Sequence, residues 1–300
     1  MNAEPGQGRV GSVAKRDQGS VGAEATASST GAARIAAAFE AAREEGRAAL
    51  MPYMMGGFPD QRTALAVADA YADAGADLIE LGVPFSDPLA DGPVIHAAAT
   101  RALDAGATLE SVLGICERIA DRVPVVPMTY ANMVLARGAE EFARLLAGAG
   151  AAGAIVPDLP LEEGAETAAV LRGEGLALVP LVAPTTPPAR RRSICTGAEG
   201  FVYVVSDTRV TGERSELPSG LGELVAAVRA DSPVPVAVGF GVGTPDQAAV
   251  VGEIADGVIV GSRLVREVAE AAGPEAAATA VGGFIAECRD QIGTGNGAGG

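Results

Sequence analysis

Apolar runs of strand-like length alternate with helical segments rich in Ala, Glu and Arg along most of this 300-residue chain. The alternation predicts eight strands, at Leu50–Met55, Asp77–Leu81, Val123–Met128, Gly153–Val156, Leu176–Val182, Gly200–Val205, Val234–Val238 and Gly257–Val260. Predicted helices follow most of these strands, at Gln61–Ala74, Ser111–Arg122, Ala139–Ala149, Glu162–Glu174, Leu221–Ala230 and Pro245–Glu253. Eight β-then-α units over about 250 residues are typical of a TIM (β/α)8 barrel, an α/β fold. A doubly wound open sheet is the alternative topology.

The barrel is predicted to be a single catalytic domain over residues 31–290. Residues 1–30 are rich in Gly, Ser and Ala, residues 291–300 are rich in Gly, and both lack apolar periodicity, so we expect two disordered tails. An amphipathic segment at Ala32–Glu45 precedes the first strand. We expect this segment to close the bottom of the barrel.

The charge of the chain limits the classes of partner. A net charge of −16 argues against nucleic acid or an anionic membrane surface as the main partner. No apolar run reaches the roughly 18 residues that a membrane helix needs. The N-terminus also lacks the apolar core of a signal peptide. These features predict a soluble, cytoplasmic protein.

The scarce residue types restrict the chemistry further. The single lysine, Lys15, lies in the N-terminal tail, which excludes a Schiff-base lysine in the barrel. The single histidine, His96, cannot build a multi-histidine metal site, and we expect it to be a partly buried helix residue. Cys116, Cys195 and Cys288 are far apart in sequence and are expected to be ordinary thiols. Carboxylates, tyrosines, arginines and backbone groups remain for catalysis.

Two carboxylates stand out from this short inventory. Glu80 lies between Ile79 and Leu81 at the end of the second predicted strand, and Asp91 follows on a proline-rich loop. Active-site residues of a TIM barrel lie at the carboxyl ends of the strands and on the loops after them. We therefore predict that Glu80 and Asp91 form an acid/base pair. The alternative is a structural carboxylate and an ordinary Asp-Gly turn.

Glycines after the last two strands predict a site for a small phosphate ester. Gly239-Phe240-Gly241 follows the seventh strand, and Gly261-Ser262 follows the eighth and opens a helix. Such loops let backbone N–H groups approach an anion, and this is the usual phosphate site of the fold. After the sixth strand, Tyr203 precedes the polar loop 206–214, which is either a lid over the site or a solvated connection.

Over residues 32–290 the chain resembles the tryptophan synthase alpha subunit family. The most specific motif is Ser86-Asp87-Pro88-Leu89-Ala90-Asp91-Gly92-Pro93, with the strand that precedes it. Supporting matches are Pro52-Tyr53 with Gly57 and Pro59, Tyr130-Ala131-Asn132, Asp158-Leu159-Pro160, Val210-Thr211-Gly212, Gly239-Phe240-Gly241 and Gly261-Ser262. The resemblance implies a TIM barrel that splits indole-3-glycerol phosphate into indole and glyceraldehyde 3-phosphate. It implies a retro-aldol reaction without lysine or metal, in tryptophan biosynthesis.

The resemblance also implies roles for particular residues. Glu80 would protonate indole C3 and help to remove the proton of the glycerol hydroxyl, and Asp91 would interact with the indole nitrogen. Tyr53 and Tyr203 would lie beside the substrate, and Thr211 would close the lid over Asp91. The amides of four residues would hold the phosphate: Gly212, Gly241, Gly261 and Ser262.

The resemblance implies a partner as well. The family acts with a PLP-dependent beta subunit, in an alpha2-beta2 heterotetramer through which indole passes internally. Tyr130 and Asn132 would lie towards that subunit. This chain itself would carry no cofactor and no metal.

The chain departs from the family pattern at Arg209, where glycine is usual, at Asp207, and at His96 with the alanines after it. These departures keep a stand-alone indole-3-glycerol-phosphate lyase open as an alternative. A second alternative is a catalytically silent barrel that regulates a beta-type partner. A sugar-phosphate isomerase on the same fold is a further alternative.

Overall fold

All eight predicted strands occur, and together they form a parallel sheet that curves into a barrel. The structure is a computed structural model that describes residues 1–2, 29–205, 219–239 and 241–294. Most residues of the two predicted tails, 3–28 and 295–300, lie outside the described residues, as do Thr211 and Gly212.

The sheet has nine strand segments in the order β5-β4-β3-β2-β1-β9-β8-β7-β6, and all pairings are parallel. The segments are β1 (Ala49–Met55), β2 (Ile79–Gly82), β3 (Val125–Met128), β4 (Gly153–Ile155), β5 (Ala177–Val179), β6 (Leu181–Val182), β7 (Val202–Val205), β8 (Val236–Gly239) and β9 (Gly257–Val260).

The barrel closes through the fifth predicted strand, which the structure divides at Pro180 into β5 and β6. Proline has no N–H and cannot donate to a neighbouring strand. The Pro180 carbonyl still accepts a hydrogen bond from the Tyr203 N–H, at 2.9 Å. β5 pairs with β4 and β6 pairs with β7, so one broken strand joins the two ends of the sheet. The TIM barrel is therefore confirmed and the open-sheet alternative is wrong.

Twelve helices accompany the strands within the described residues. They are α1 (Gly31–Glu44), α2 (Gln61–Asp73), α3 (Pro93–Asp104), α4 (Leu109–Ile119), α5 (Ala131–Arg137), α6 (Ala139–Gly148), α7 (Leu161–Gly173), α8 (Pro188–Thr196), α9 (Leu221–Asp231), α10 (Pro245–Ile254), α11 (Ser262–Glu270) and α12 (Pro274–Thr294). No predicted helix corresponds to α5, α8 or α12. None of the helices in the described part is long and apolar enough to cross a membrane.

Side-chain caps explain where several helices begin. Asp60 accepts a hydrogen bond from the Thr63 N–H at 2.9 Å, which fixes the start of α2. At α4, Thr108 and Ser111 form a reciprocal capping box. The helix therefore begins at Leu109, two residues before the predicted start, because Ser111 belongs to its first turn.

Helix α1 packs at the amino-terminal end of the barrel, as expected for the predicted bottom segment. Ile35 and Phe39 are buried in the same cluster as Met51 of β1 and Phe201, and the Phe39 and Phe201 ring centroids are 5.8 Å apart. The α1 backbone is also tied to the barrel, because the Gly31 N–H donates to the Gly175 carbonyl at 2.7 Å. This apolar floor leaves the opposite, carboxyl-terminal end as the open side of the barrel.

Candidate active site

Glu80 lies inside the barrel near the carboxyl end of β2, opposite Tyr53 of β1 and Val126 of β3. Its side chain is fully buried, and neither carboxylate oxygen has a hydrogen-bond partner in the described part of the chain. Burial, followed by the negative charge of Asp91, raises the pKa of Glu80 from 4.5 to about 8. Glu80 is therefore largely protonated at neutral pH.

The apolar surroundings of Glu80 come from the barrel interior and not from its neighbours in the sequence. Side chains alternate between the two faces of a strand. Ile79 and Leu81 therefore point away from the barrel interior, whereas Glu80 points into it. The desolvation instead comes from residues inside the barrel, among them Tyr53 and Met128, which line the same cavity as the carboxylate. The cavity lining, rather than Ile79 and Leu81, therefore raises the pKa of Glu80.

Asp91 lies on the loop between β2 and α3 and faces the same cavity. The Tyr130 hydroxyl lies beside its carboxylate. Burial raises the pKa of Asp91, whereas the Tyr130 hydrogen bond and the nearby His96 lower it. His96 itself is exposed on α3, so the expectation of a partly buried histidine is wrong. Asp91 thus keeps a more polar environment than Glu80.

The two carboxylates share one cavity with most of the predicted substrate-binding residues. The lining consists of Tyr53, Glu80, Ala90, Asp91, Ile95, Met128, Tyr203, Gly239, Gly241, Ile259, Gly261 and Ser262. The structure thus brings seven predicted site residues together, and their individual roles stay predictions. Thr211 and Gly212 lie outside the described residues, so no position is given for them.

Two glycines at strand ends make room for the two buried tyrosines. A Cβ added at Gly82 would lie 2.1 Å from the Tyr53 hydroxyl oxygen, and one at Gly239 would lie 2.4 Å from the Tyr203 hydroxyl oxygen. Burial and the charges of Glu80 and Asp91 raise the pKa of both phenols well above the usual value, so both remain neutral donors. The sequence analysis did not identify Gly82, although a glycine that ends a strand signals close approach of another group.

Backbone groups form the other end of the cavity. Gly241 follows β8, and Gly261 caps α11, whose first residue, Ser262, is 6% exposed. The first N–H groups of a helix have no partner within the helix, and the helix dipole adds partial positive charge there. None of the described lining residues is Lys or Arg. This end of the cavity can therefore bind an anion through backbone N–H groups.

The two residues predicted at a partner interface lie in different environments. Asn132 is exposed on α5, close to Leu135, which is 73% exposed. Leu89, on the loop that carries Asp91, is 83% exposed. The Tyr130 side chain is buried against that loop and would reach a partner only through it. The interface assignment stays a prediction for both Tyr130 and Asn132.

No group of three or more His, Cys, Asp or Glu side chains that could hold a metal ion occurs among the described residues. The three cysteines are buried free thiols. Burial raises the pKa of Cys116 to about 12. The described site therefore offers acid/base groups, neutral phenols and backbone donors.

Comparison with known proteins identifies the relatives of this chain. The family model "Tryptophan synthase alpha chain" matches residues 39–292. The tryptophan synthase alpha chain of Synechococcus sp. (strain CC9902) is 49% identical over 265 residues, which are 87% of this chain and 98% of that protein. That of Carboxydothermus hydrogenoformans is 49% identical over 234 residues, covering 77% of this chain and 88% of that protein.

Solved structures agree with these sequence relatives. A structure of Mycobacterium tuberculosis tryptophan synthase has a chain with a TM-score of 0.79 and 39% identity, covering 86% of this chain and 98% of that chain. The tryptophan synthase subunit alpha from Legionella pneumophila str. Paris has a TM-score of 0.76 and 35% identity, with coverage of 86% and 98%. Matches of this extent and identity leave one conclusion: the chain belongs to the tryptophan synthase alpha chain family.

Proposed function

We propose that this protein cleaves indole-3-glycerol phosphate to indole and glyceraldehyde 3-phosphate, as the alpha subunit of a tryptophan synthase. The observation that carries the proposal is Glu80, a fully buried carboxyl group without a hydrogen-bond partner among the described residues. It faces a cavity that also contains a second carboxylate and a backbone anion site. A carbon–carbon lyase that works by proton transfer needs these three parts.

Glu80 acts first as the acid. Cleavage of the bond between the indole ring and the glycerol chain requires a proton on indole C3, which converts the ring to an indolenine. A carboxyl group with a pKa of about 8 holds this proton at neutral pH and releases it without a large energetic cost. The resulting carboxylate then takes the proton of the glycerol hydroxyl as the carbon–carbon bond breaks. Glu80 is thereby returned to its protonated form.

Asp91 acts at the nitrogen of the indole ring. Protonation at C3 places positive charge on the indole nitrogen, and an ionised carboxylate beside this nitrogen stabilises that charge or accepts its proton. The hydrogen bond from Tyr130 and the proximity of His96 both favour the ionised form of Asp91. The two carboxyl groups thus lie in different electrostatic surroundings within one cavity, as a paired acid and base requires.

The remaining lining residues bind and orient the substrate. Tyr53 and Tyr203 are neutral phenols that line the cavity together with Glu80 and can contact a planar substrate. The backbone at Gly241, Gly261 and Ser262 holds the phosphate. Each proton transfer contributes on the order of 10²–10⁴-fold to the rate, provided that the substrate is held in this orientation.

We also propose that the chain acts with a beta subunit in an alpha2-beta2 assembly and needs no cofactor of its own. The exposed Leu89, Asn132 and Leu135 surround the open end of the barrel and offer a surface for that partner. PLP would belong to the beta subunit, since the only lysine of this chain, Lys15, lies before the barrel.

Indole release from indole-3-glycerol phosphate tests the proposed activity. We expect Glu80→Gln to lose at least about 100-fold in kcat, since the amide cannot transfer the proton, while it still binds glycerol phosphate. Glu117→Gln, which alters an exposed carboxylate on α4, is the matched control and should retain wild-type turnover. Equal turnover of wild type and Glu80→Gln would contradict the assigned mechanism.

An added beta subunit tests the partner. Slow indole release that the beta subunit accelerates strongly would support the two-component enzyme. Fast release by the chain alone would identify a stand-alone lyase. No release under either condition would leave a barrel that only regulates its partner.

A further inference from the structure

Tyr130 is held firmly at the junction between β3 and α5. It is the N-cap residue of α5 and is 3% exposed. The N–H of the next residue, Ala131, donates a hydrogen bond of 2.8 Å to the Asp158 carboxylate, which lies on the loop after β4. The neighbouring loop thus fixes the backbone from which the Tyr130 ring extends.

The Tyr130 ring makes three contacts with the loop that carries Asp91. Its hydroxyl accepts a hydrogen bond from the Ala90 N–H at 3.2 Å and lies beside the Asp91 carboxylate. Its ring stacks on Phe85, with centroids 5.3 Å apart and an interplanar angle of 27°. Tyr130 therefore contacts both ends of this loop, Phe85 near its start and Asp91 near its end.

The loop between β2 and α3 contains neither helix nor strand, so its shape depends on contacts of this kind. We propose that Tyr130 is a positioning residue for the lyase reaction: it holds the Asp91 carboxylate in the cavity and keeps that carboxylate as a hydrogen-bond acceptor. This proposal rests on the proposed function. It gives Tyr130 a role inside the active site, in place of a direct contact with a partner.

The electrostatic surroundings define what the hydroxyl does. Asp91 is faced by Glu80 from β2, by His96 from α3 and by the phenols of Tyr53 and Tyr203. Glu80 is mostly protonated at neutral pH, and the two phenols are neutral. The Tyr130 hydrogen bond lowers the pKa of Asp91 and so opposes the effect of burial. Its removal should raise that pKa.

Tyr130→Phe is the decisive variant, because it keeps the ring and its stacking on Phe85 and removes only the hydroxyl. We expect kcat/KM at neutral pH to fall by about tenfold to 100-fold, mostly through kcat. We also expect the acidic limb of the kcat/KM profile to move to higher pH, because Asp91 must be ionised. Loss of packing alone would not move this limb.

Two control variants separate this effect from general damage. Tyr71→Phe removes another buried phenol, whose hydroxyl donates to the Tyr53 carbonyl at 3.1 Å, and should leave the acidic limb in place. Asn132→Ala alters the exposed face of α5 and should also leave it in place. A wild-type rate and pH profile for Tyr130→Phe would overturn the proposal, whether or not the beta subunit still binds.

A direct titration keeps the proposal testable without activity. The carboxyl carbon of Asp91 can be followed by NMR in protein labelled with ¹³C-aspartate, with Asp91→Asn to assign the signal. We expect a higher Asp91 pKa in Tyr130→Phe than in the wild type, and an unchanged value would overturn the proposal. An inactive wild type that still shows this difference would contradict the proposed function and leave the positioning role intact.

Discussion

At the residue scale, the buried carboxyl group of Glu80 serves the reaction but lowers the stability of the folded protein. A carboxyl group that is buried without a partner must stay protonated in the folded protein, whereas it ionises freely in the unfolded chain. Its pKa is therefore about 8 when folded and near 4.5 when unfolded. Because the folded state holds the proton more tightly, this group lowers the stability progressively as the pH rises from about 4.5 to about 8.

Glu80→Gln should thus be more stable than the wild type at high pH. At about 1.4 kcal/mol per pH unit, the gain in unfolding free energy grows to about 5 kcal/mol above pH 8 and disappears below pH 4.5. Urea unfolding of both proteins between pH 5 and pH 9 measures this difference. Glu117→Gln, at an exposed position, should show no such trend. A difference that stays constant with pH would mean that Glu80 ionises normally in the folded protein.

At the scale of elements, the Tyr53 ring of β1 packs closely against Gly82 at the carboxyl end of β2. Gly82→Ala should push the Tyr53 ring out of position, because the three atoms nearest to the added Cβ all belong to Tyr53. We expect a loss of about 1–3 kcal/mol in unfolding free energy and a raised KM. Gly114→Ala, on the exposed side of α4 with nothing within 4 Å of the added Cβ, should instead be neutral or slightly stabilising.

A double-mutant cycle checks this explanation by denaturant unfolding. In a Tyr53→Ala background, Gly82→Ala should cost much less than in the wild type, because the clashing ring is gone. An unchanged cost would locate the strain elsewhere in β2.

Elements of this fold could be predicted from sequence where a residue type has a single structural role. Buried parallel strands read as apolar runs, so the eight barrel strands were placed within a few residues, and Glu80 stood out because it interrupts one of them. The break at Pro180 could not be foreseen, since the strand continues through its carbonyl. The position of Tyr130 depends on how two loops pack against each other, and the spacing of residues in the sequence does not predict that packing.

The whole molecule combines a net charge of −16 with an anion site whose described lining contains neither Lys nor Arg. The backbone N–H groups act only at short range, whereas the field of the protein extends about 10 Å at 0.1 M ionic strength. A phosphate ester therefore approaches against a repulsive field and is attracted only after it has entered the cavity.

A higher ionic strength should consequently increase the rate at which the protein binds its substrate. We expect kcat/KM to rise by about two- to threefold as NaCl is raised from about 10 to 150 mM, because screening weakens the repulsion. The kcat at saturating substrate should not change. A steady fall of kcat/KM over the same range would show that cations outside the described residues steer the substrate. An anion site whose described lining offers backbone N–H groups and neither Lys nor Arg should therefore capture its substrate more slowly in dilute buffer than at the salt concentration of a cell.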